Sequence, residues 1–367
     1  MPETIDRLTL QRWLEQGRSV TIVDVQPADA FAEWHIPGSI HVDKYQALKD
    51  GDKHALAGVE LPRGAPVVTV CPRGNTSRLA AAQLRARGYD ASSFSGGLQA
   101  WSLAWNTAEI PLPGSEATVL QVRRTGKGCL SYVVAAKGDA AVIDPSVETD
   151  VYLDLLSKRS WRLTSVLETH VQADHLSRAR ALAEATGAGL HLPAQDRVSF
   201  AFQPLQEGST HKVGGAMLRT LFTPGHTPES CSYLLDEKAL FTGDTLFLAG
   251  VGRPDLEADS GAARGRAHLL YRSIQRLIEL ADDTLILPAH TDGPVAFDGK
   301  PLVATLAEVR RRLNVLQLDE SAFVDWILER LPPTPANFER IVRLNEQGEL
   351  PGEVIELEAG ANRCAVG

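Results

Sequence analysis

Potential metal ligands are concentrated in one short segment near the middle of the chain. His170, Asp174 and His175 lie within six residues, behind the apolar run Ser165–Leu167. The run is typical of the end of a buried strand, and the residues from Leu176 onward are typical of a helix. The ligand types are therefore predicted on a strand-to-helix turn, where several side chains can converge on one point.

Further ligand types follow in three segments with a similar setting. They are His226 in Thr-Pro-Gly-His-Thr, Asp244 in Thr-Gly-Asp-Thr and His290 in Pro-Ala-His. Each lies near a short β-prone run and is bracketed by Gly or Pro, as expected for loops at one edge of a sheet. A single histidine is more often a structural residue than a ligand, but four such segments in this order indicate a metal site.

These segments resemble the HxHxDH signature of the metallo-β-lactamase superfamily, with the His, Asp and His that follow it. The resemblance covers about residues 117–290 and implies an αββα sandwich. One position departs from the signature, because its second His is Gln172 here. A neutral amide is a poor ligand for a divalent transition metal. The predicted metal ligands are therefore His170, His226 and Asp244.

Two histidines and one carboxylate form the facial triad of non-haem Fe(II) oxygenases. Within the superfamily this set resembles that of persulfide dioxygenases, which oxidise a thiol persulfide with O2 to sulfite and the thiol. The resemblance implies one Fe(II) per chain. The tail Ala361-Asn-Arg-Cys364 resembles the Ala-Asn-x-Arg-Cys ending of that branch. The other polar residues are assigned to the surroundings of the iron rather than to its coordination: Gln172, Asp174, His175 and His290.

Two residues beside the ligand segments are candidates for substrate contact. Thr227 follows His226 directly, and Arg253 lies in Gly-Arg-Pro-Asp, a motif that resembles one of the persulfide dioxygenases. An ion pair between Arg253 and Asp255 that orders the loop is an equal alternative.

The amino-terminal third carries a second set of motifs, centred on Cys71. The strand-like run Val67–Val70 delivers Cys71 to a glycine-bearing loop that leads into a helix. Backbone N–H groups of such a loop and the helix N-terminus can surround the sulfur and stabilise its anion. A thiolate is the nucleophile that accepts sulfane sulfur. The predicted sulfur-binding loop comprises Arg73, Gly74, Asn75, Thr76 and Ser77.

This loop and its neighbours resemble the rhodanese homology domain over about residues 5–107. The matching motifs, in order, are the strand acid Asp24, the segment His35–His41, the Cys71 loop and the run Ser95–Trp101. The resemblance implies a mainly parallel sheet with helices on both faces, and sulfur transfer through a Cys71 persulfide. Three residues depart from those common in rhodaneses and leave the sulfur donor open: Gln26, Trp34 and Thr76.

Composition excludes several classes of protein. Hydrophobic residues make up 44% of the 367 residues, which is ample for packed cores. A net charge of −9 argues against nucleic acid or an anionic membrane surface as the partner. No apolar run approaches a membrane span, and the first residues lack the pattern of a secretory signal. Four scattered cysteines with no CxxC pair favour a reducing compartment, so we expect a cytoplasmic protein.

The domain boundary is predicted at a segment rich in Pro, Gly and Ser. We expect a rhodanese-like α/β domain over residues 1–110, a linker over 111–116, and a metallo-β-lactamase-type domain with C-terminal helices over 117–367. Helices are predicted over 302–318, 321–330 and 338–345, and we assign them to packing. Cys129 and Cys231 lie in strand-like runs and are predicted to be core residues.

The two domains together predict a bifunctional enzyme of sulfur metabolism and sulfide detoxification. Its small-molecule partners would be a persulfide, O2, thiosulfate or sulfite, and a low-molecular-weight thiol such as glutathione or coenzyme A. The direction of coupling between the domains stays open, as does the formation of a homo-oligomer. Two alternatives remain: a dinuclear zinc hydrolase of the glyoxalase II or thioesterase type fused to a sulfurtransferase, and a non-catalytic persulfide sensor or carrier.

Overall fold

The first sheet brings Cys71 to the end of a central strand. The computed structural model describes residues 2–291 and 293–367. The strands of this sheet are β1 (Thr4–Ile5), β2 (Thr21–Asp24), β3 (Ile40–His41), β4 (Val67–Val70) and β5 (Ala91–Phe94). All pair in parallel, in the order β1-β5-β4-β2-β3. The prediction of a parallel α/β domain is therefore confirmed.

Helices cover both faces of this sheet because its central strands are apolar on both sides. The helices are α1 (Arg7–Glu15), α2 (Ala28–Glu33), α3 (Tyr45–Lys49), α4 (Asn75–Ala86) and α5 (Gly97–Trp101). Along β4, Val67 packs into one core, whereas Val68 and Val70 pack into the other. This alternation follows the two-residue period of a strand.

Two further sheets pack face to face in the second domain. The second sheet consists of β6 (Asn106–Ile110), β7 (Thr118–Arg124), β8 (Cys129–Ala136), β9 (Asp139–Ile143), β10 (Arg162–Leu167), β11 (Gly189–Pro193) and β12 (Gln203–Leu205). The later strands are β13 (Thr210–Val213), β14 (Ala216–Phe222), β15 (Cys231–Leu235), β16 (Ala239–Gly243), β17 (Val251–Gly252), β18 (Leu285–Pro288), β19 (Ala304–Thr305) and β20 (Ala365–Val366). The third sheet has the order β13-β14-β15-β16-β18-β19, and β17 pairs with β20 apart from it.

The layers follow the predicted αββα order. Apolar side chains of the second and third sheets, such as Tyr132 and Phe241, form a shared core between them. The helices of this domain are α6 (Thr149–Lys158), α7 (Ala179–Thr186), α8 (Ser260–Leu277), α9 (Leu306–Arg312), α10 (Glu320–Glu329), α11 (Phe338–Gln347) and α12 (Ile355–Glu358). Residues of α6 and α7 pack on the outer face of the second sheet, and those of α8, α9 and α10 on the third. Among the described residues, no helix has the length and apolar character that crossing a membrane requires.

The first strand of the second sheet, β6, lies before the predicted linker. β6 pairs antiparallel with β7 along its whole length, from Asn106 opposite Arg123 to Ile110 opposite Val119. Residues 106–110, which the sequence analysis placed in the first domain, are thus the edge strand of the second sheet. Residues 111–116 form the turn between two strands of that sheet rather than a connection between domains.

Two predicted helices have different bounds in the structure. The helix expected from Leu176 begins at Ala179. The backbone N–H groups of Leu176 and Ser177 donate to side chains near the C-terminus, so these two residues precede the helix. The continuous helix expected over 302–318 is wrong. A capping box between Thr305 and Glu308 starts α9 at Leu306, and the extended backbone of Leu313 ends it. A 3-10 helix, Asn314–Gln317, follows.

Candidate metal centre and sulfur-binding loop

The three predicted metal ligands lie together at one edge of the sandwich. His170 follows β10, His226 lies between β14 and β15, and Asp244 follows β16. Each is about 1% exposed, and one ligand atom from each lies within 4.8 Å of the others. Asp244 Oδ2 is 3.8 Å from His170 Nε2 and 3.5 Å from His226 Nε2. These residues come together because their loops follow strands that end at the same edge.

The ligand atoms of this trio are free to bind a cation. His170 Nε2, His226 Nε2 and Asp244 Oδ2 are buried without a hydrogen-bond partner in the described part of the chain. The other ring nitrogen of His226 donates to the Arg253 carbonyl at 2.7 Å, which leaves the Nε2 lone pair for a metal. Burial lowers the pKa of His170 to about 3, so its ring is neutral. Three converging, unpartnered donor atoms of these types fit a divalent metal ion.

A second group of ligand types lies beside the first. One ligand atom from each of its members lies within 4.8 Å of the others, and all four are buried: Cys129, Asp174, His175 and His290. Asp174 Oδ1 is bonded to His175 Nδ1 at 2.8 Å, and Asp174 Oδ2 is 3.1 Å from His290 Nε2. His290 also reaches the first group, since its Nδ1 lies 2.6 Å from Asp244 Oδ1.

Carboxylates in and beside this second group affect the protonation of its histidines. Burial opposes protonation of His175, but the Asp174 carboxylate beside it raises the pKa of His175 to about 10. Likewise, Asp174 and Asp244 raise the pKa of His290 against the effect of burial. A cation bound here would displace these protons, because a metal takes the neutral imidazole.

Two cysteines lie among these ligand types, although the sequence analysis did not assign them to the site. Cys129 is buried as predicted, but its Sγ donates to Asp174 Oδ2 at 3.4 Å instead of meeting only apolar atoms. Cys364 offers its sulfur within 4.8 Å of ligand atoms of Asp244 and His290. Glycines lie on both sides of Lys127, directly before Cys129. The other ligand loops also contain Gly or Pro, and this similarity was the sequence signal that could have indicated Cys129.

Gln172 is buried and lies beside His170. Its side chain is 1% exposed, and within the described residues neither Oε1 nor Nε2 has a hydrogen-bond partner. It lines a cavity of about 30 Å³ together with His170. Most of the cavity wall is apolar, with side chains such as Leu192 and Phe200.

The two candidate substrate contacts are already bonded to the protein. The Arg253 guanidinium is 0% exposed, pairs with Asp255 at 2.7 and 2.8 Å, and donates to the carbonyls of Pro333 and Arg363. This is the loop-ordering role that the sequence left as an alternative. The Thr227 hydroxyl lies 2.7 Å from the Ser230 hydroxyl in a buried turn.

C-terminal elements hold the turn that carries Asp174 and His175. The Asn345 amide donates to the carbonyls of Gln172 and His175 at 2.8 and 2.9 Å. Glu358, fully buried, accepts from the Leu176 N–H at 2.8 Å. Its carboxylate also pairs with two buried arginines, Arg124 at 2.7 Å and Arg178 at 2.6 Å. The segments assigned to packing therefore also position the site.

The sulfur of Cys71 lies at the N-terminus of α4, as the motif predicts. It is 1% exposed and accepts from the N–H of Gly74 at 3.1 Å and of Ser77 at 3.4 Å. Gly74 has φ +84°, and a Cβ there would lie 2.9 Å from the Gly96 nitrogen, so this turn requires glycine. Thr76 is buried beside the loop, whereas Arg73 and Asn75 are exposed.

Comparison with known families supports both halves of this description. Residues 7–104 match the rhodanese-like domain, and residues 124–290 match the metallo-beta-lactamase superfamily. A hydroxyacylglutathione hydrolase of Methylococcus capsulatus is 34% identical over 206 residues, which cover 54% of this chain and 77% of the relative. The chain belongs to the metallo-β-lactamase superfamily. Its superfamily domain follows a rhodanese-like domain.

Other superfamily members share parts of the chain. A probable polyketide biosynthesis zinc-dependent hydrolase of Bacillus velezensis is 31% identical over 44% of this chain and 72% of its own length. The chain spans 59% of the length of the hydroxyacylglutathione hydrolase of Cereibacter sphaeroides.

Two solved structures share the fold of the superfamily domain. ETHE1 from Myxococcus xanthus has a TM-score of 0.54 and 32% identity, covering 62% of this chain and 96% of its own. A metallo-β-lactamase from Staphylococcus aureus has a TM-score of 0.58 and 26% identity, covering 64% and 74%.

Proposed function

We propose that the protein is an Fe(II)-dependent persulfide dioxygenase fused to a sulfurtransferase that transfers sulfane sulfur through a Cys71 persulfide. The observation that carries the proposal is the ligand set. Two imidazoles and one carboxylate converge, and Gln172 stands where the signature has a further imidazole. A site of two histidines and one carboxylate with open positions suits the iron of non-haem oxygenases. His170, His226 and Asp244 would hold this iron.

The residues around the trio support oxidation of a sulfur compound. Iron bound there would supply the electron-transfer chemistry by which O2, together with one water molecule, oxidises the outer persulfide sulfur to sulfite while the thiol and two protons are released. The Arg253 carbonyl holds the His226 ring, and His290 holds the Asp244 carboxylate. The mainly apolar cavity beside His170 suits a small apolar molecule such as O2. The three ligand side chains are each about 1% exposed, so bulk water has little access to a sulfur species bound between them.

The Cys71 loop would perform sulfur transfer. The Cys71 thiolate attacks the sulfane sulfur of thiosulfate, the S–S bond of thiosulfate breaks, and sulfite leaves with the bonding electron pair. The outer sulfur remains on Cys71 as an anionic persulfide. The N–H groups of Gly74 and Ser77 point at Cys71 Sγ and would stabilise the negative charge.

Oxygen uptake tests this function directly. Protein purified without air should consume O2 and release sulfite when glutathione persulfide is added, and it should leave S-lactoylglutathione intact. Hydrolysis of the thioester without O2 uptake would contradict the proposal.

A second candidate is a dinuclear zinc hydrolase, which the group of Cys129, Asp174, His175 and His290 favours. These residues could hold a second cation beside the first, because His290 contacts members of both groups. Several curated relatives are hydrolases by name. Gln172 argues against this candidate, since it removes an imidazole from the first site.

A further inference from the structure

A cavity of about 530 Å³ lies between the two domains. Ligand sites for small molecules commonly have volumes of about 300–1,000 Å³. Both domains contribute to its wall, with Trp34, Pro72 and Arg73 from the first and Lys127, Asp174 and Arg363 from the second.

The cavity borders both sites. Pro72 and Arg73 belong to the loop that holds the Cys71 sulfur, and Asp174 belongs to the second group of ligand types. The Trp34 indole donates to the Gly126 carbonyl at 2.9 Å, so a hydrogen bond between the domains closes part of the wall. A ligand in this cavity would therefore lie between the sulfur-transfer loop and the metal centre.

Lys127 is a buried cation without a carboxylate partner. The residue is 5% exposed, and its ammonium donates to the Gly360 carbonyl at the long distance of 3.5 Å. Within residues 2–291 and 293–367, no carboxylate lies within 4.0 Å of Lys127 Nζ. Burying an ammonium that is neither paired nor fully hydrogen-bonded is costly. An anion in the cavity would compensate the buried charge of the Lys127 ammonium.

The other charges of the cavity leave an excess of positive charge. Arg363 pairs with Glu33 across the domain interface. Asp174 is bonded to the histidines of its own group. Of the charged residues in the wall that the structure describes, this leaves Arg73, Lys127 and Glu356 without an ion pair. Two cations and one acid leave this wall with a net positive charge, which suits an anionic ligand.

We propose that this cavity between the domains binds a small anionic thiol, with a carboxylate of the thiol held by Lys127. The inference rests on the proposed function, which requires a thiol to carry sulfur. It goes beyond that function by assigning the carrier to one site that both domains share. The carrier would then lie beside the Cys71 loop, through Pro72 and Arg73, and beside the second group of ligand types, through Asp174.

Binding of S-methylglutathione, which cannot accept sulfur, tests this inference on the full chain. Titration calorimetry should show one site per chain, and Lys127→Met should weaken binding at least tenfold. Lys127→Arg, which keeps the charge, should stay within about threefold of the wild type. The exposed Lys212→Met is the matched control and should bind as the wild type does. S-methylcysteamine, which lacks a carboxylate, should not bind.

A second measurement covers the case in which Lys127→Met fails to fold. Because Trp34 lines the cavity, S-methylglutathione should change the intrinsic fluorescence of the wild type, and Trp34→Phe should lose that change. Equal affinity of the Lys127→Met and wild-type proteins, or an undiminished fluorescence change in Trp34→Phe, would overturn the inference. Neither readout depends on turnover. Normal binding without O2 uptake would therefore overturn the proposed function and leave this site intact.

Discussion

Gln172 determines how many imidazoles face the metal centre. An amide in place of a histidine leaves His170, His226 and Asp244 as the converging set, and the amide itself is buried without a hydrogen-bond partner among the residues that the structure describes. A neutral amide binds a divalent transition metal poorly. Substitutions of Gln172 and of the ligand Asp244 can therefore show whether Gln172 binds the metal.

Asp244→Ala should lose both the metal and O2 uptake, because the variant lacks a ligand and the negative charge that offsets the cation. Gln172→Ala should retain most of the metal. Metal content per chain, measured by elemental analysis on both purified variants, checks this expectation. Equal loss of metal in the two variants would show that Gln172 is itself a ligand.

Cys71→Ser should abolish sulfur transfer from thiosulfate to cyanide, because an alcohol cannot carry sulfane sulfur. Oxygen uptake with preformed glutathione persulfide should persist, since the metal trio lies in the other domain. The exposed Ala82→Ser, further along α4, is the control and should leave both activities unchanged. Loss of oxygenation in Cys71→Ser would contradict two separate reaction sites.

Asp24, a buried acid in the rhodanese-like domain, should make the stability of the protein fall as the pH rises. A carboxyl group with a lowered pKa, which is the more common case, has the opposite effect. Burial raises the pKa of Asp24 to about 6, although its carboxylate accepts from the Gln26 N–H. Because the folded pKa exceeds the unfolded value near 3.8, folding favours the protonated form. The stability from this group is complete below pH 3.8 and is lost as the pH rises through 6.

Asp24→Asn should therefore stabilise this domain at pH 7.5 and have little effect at pH 4. The pKa shift corresponds to at most about 3 kcal/mol at 1.36 kcal/mol per unit, and we expect on the order of 1–2 kcal/mol. Urea unfolding at both pH values measures the effect, with the exposed Asp29→Asn as control. A destabilised Asp24→Asn at pH 7.5 would show that the charged form is the favoured one.

At the scale of elements, the ligand loops were predictable and their supports were not. Strand-like runs followed by Gly, Pro and ligand types predicted loops at one sheet edge, and the ends of β10, β16 and β18 meet there. The involvement of Cys129 and Cys364 arises from contacts between residues far apart in sequence. The bonds from Asn345 and Glu358 to the turn after His170 are of the same kind. Local patterns carry no information on such contacts.

Glu358 is the support with the largest expected effect on stability. It is fully buried and shared by Arg124 and Arg178, and removing one charge of a buried group leaves the others uncompensated. Glu358→Gln should destabilise the protein by about 3–5 kcal/mol. The exposed Glu353→Gln should change stability by less than about 0.5 kcal/mol. Chemical denaturation of both variants checks this, and similar stabilities would contradict a role for α12 in holding the site.

At the scale of the whole molecule, the two domains are docked rather than merely joined. Trp34 donates to Gly126, and Glu33 pairs with Arg363, so both contacts link α2 and its end to the superfamily domain. The order of the domains and both folds followed from sequence motifs. The docked arrangement did not, because the predicted linker is a turn within the second sheet. The cavity between the domains is therefore a feature that appears only in the folded chain.

The metal content of protein purified without air tests the central claim most directly. The account predicts close to one iron per chain and little zinc, with O2 uptake that rises in proportion to the iron. Two zinc ions per chain, together with thioester hydrolysis and no O2 uptake, would contradict it.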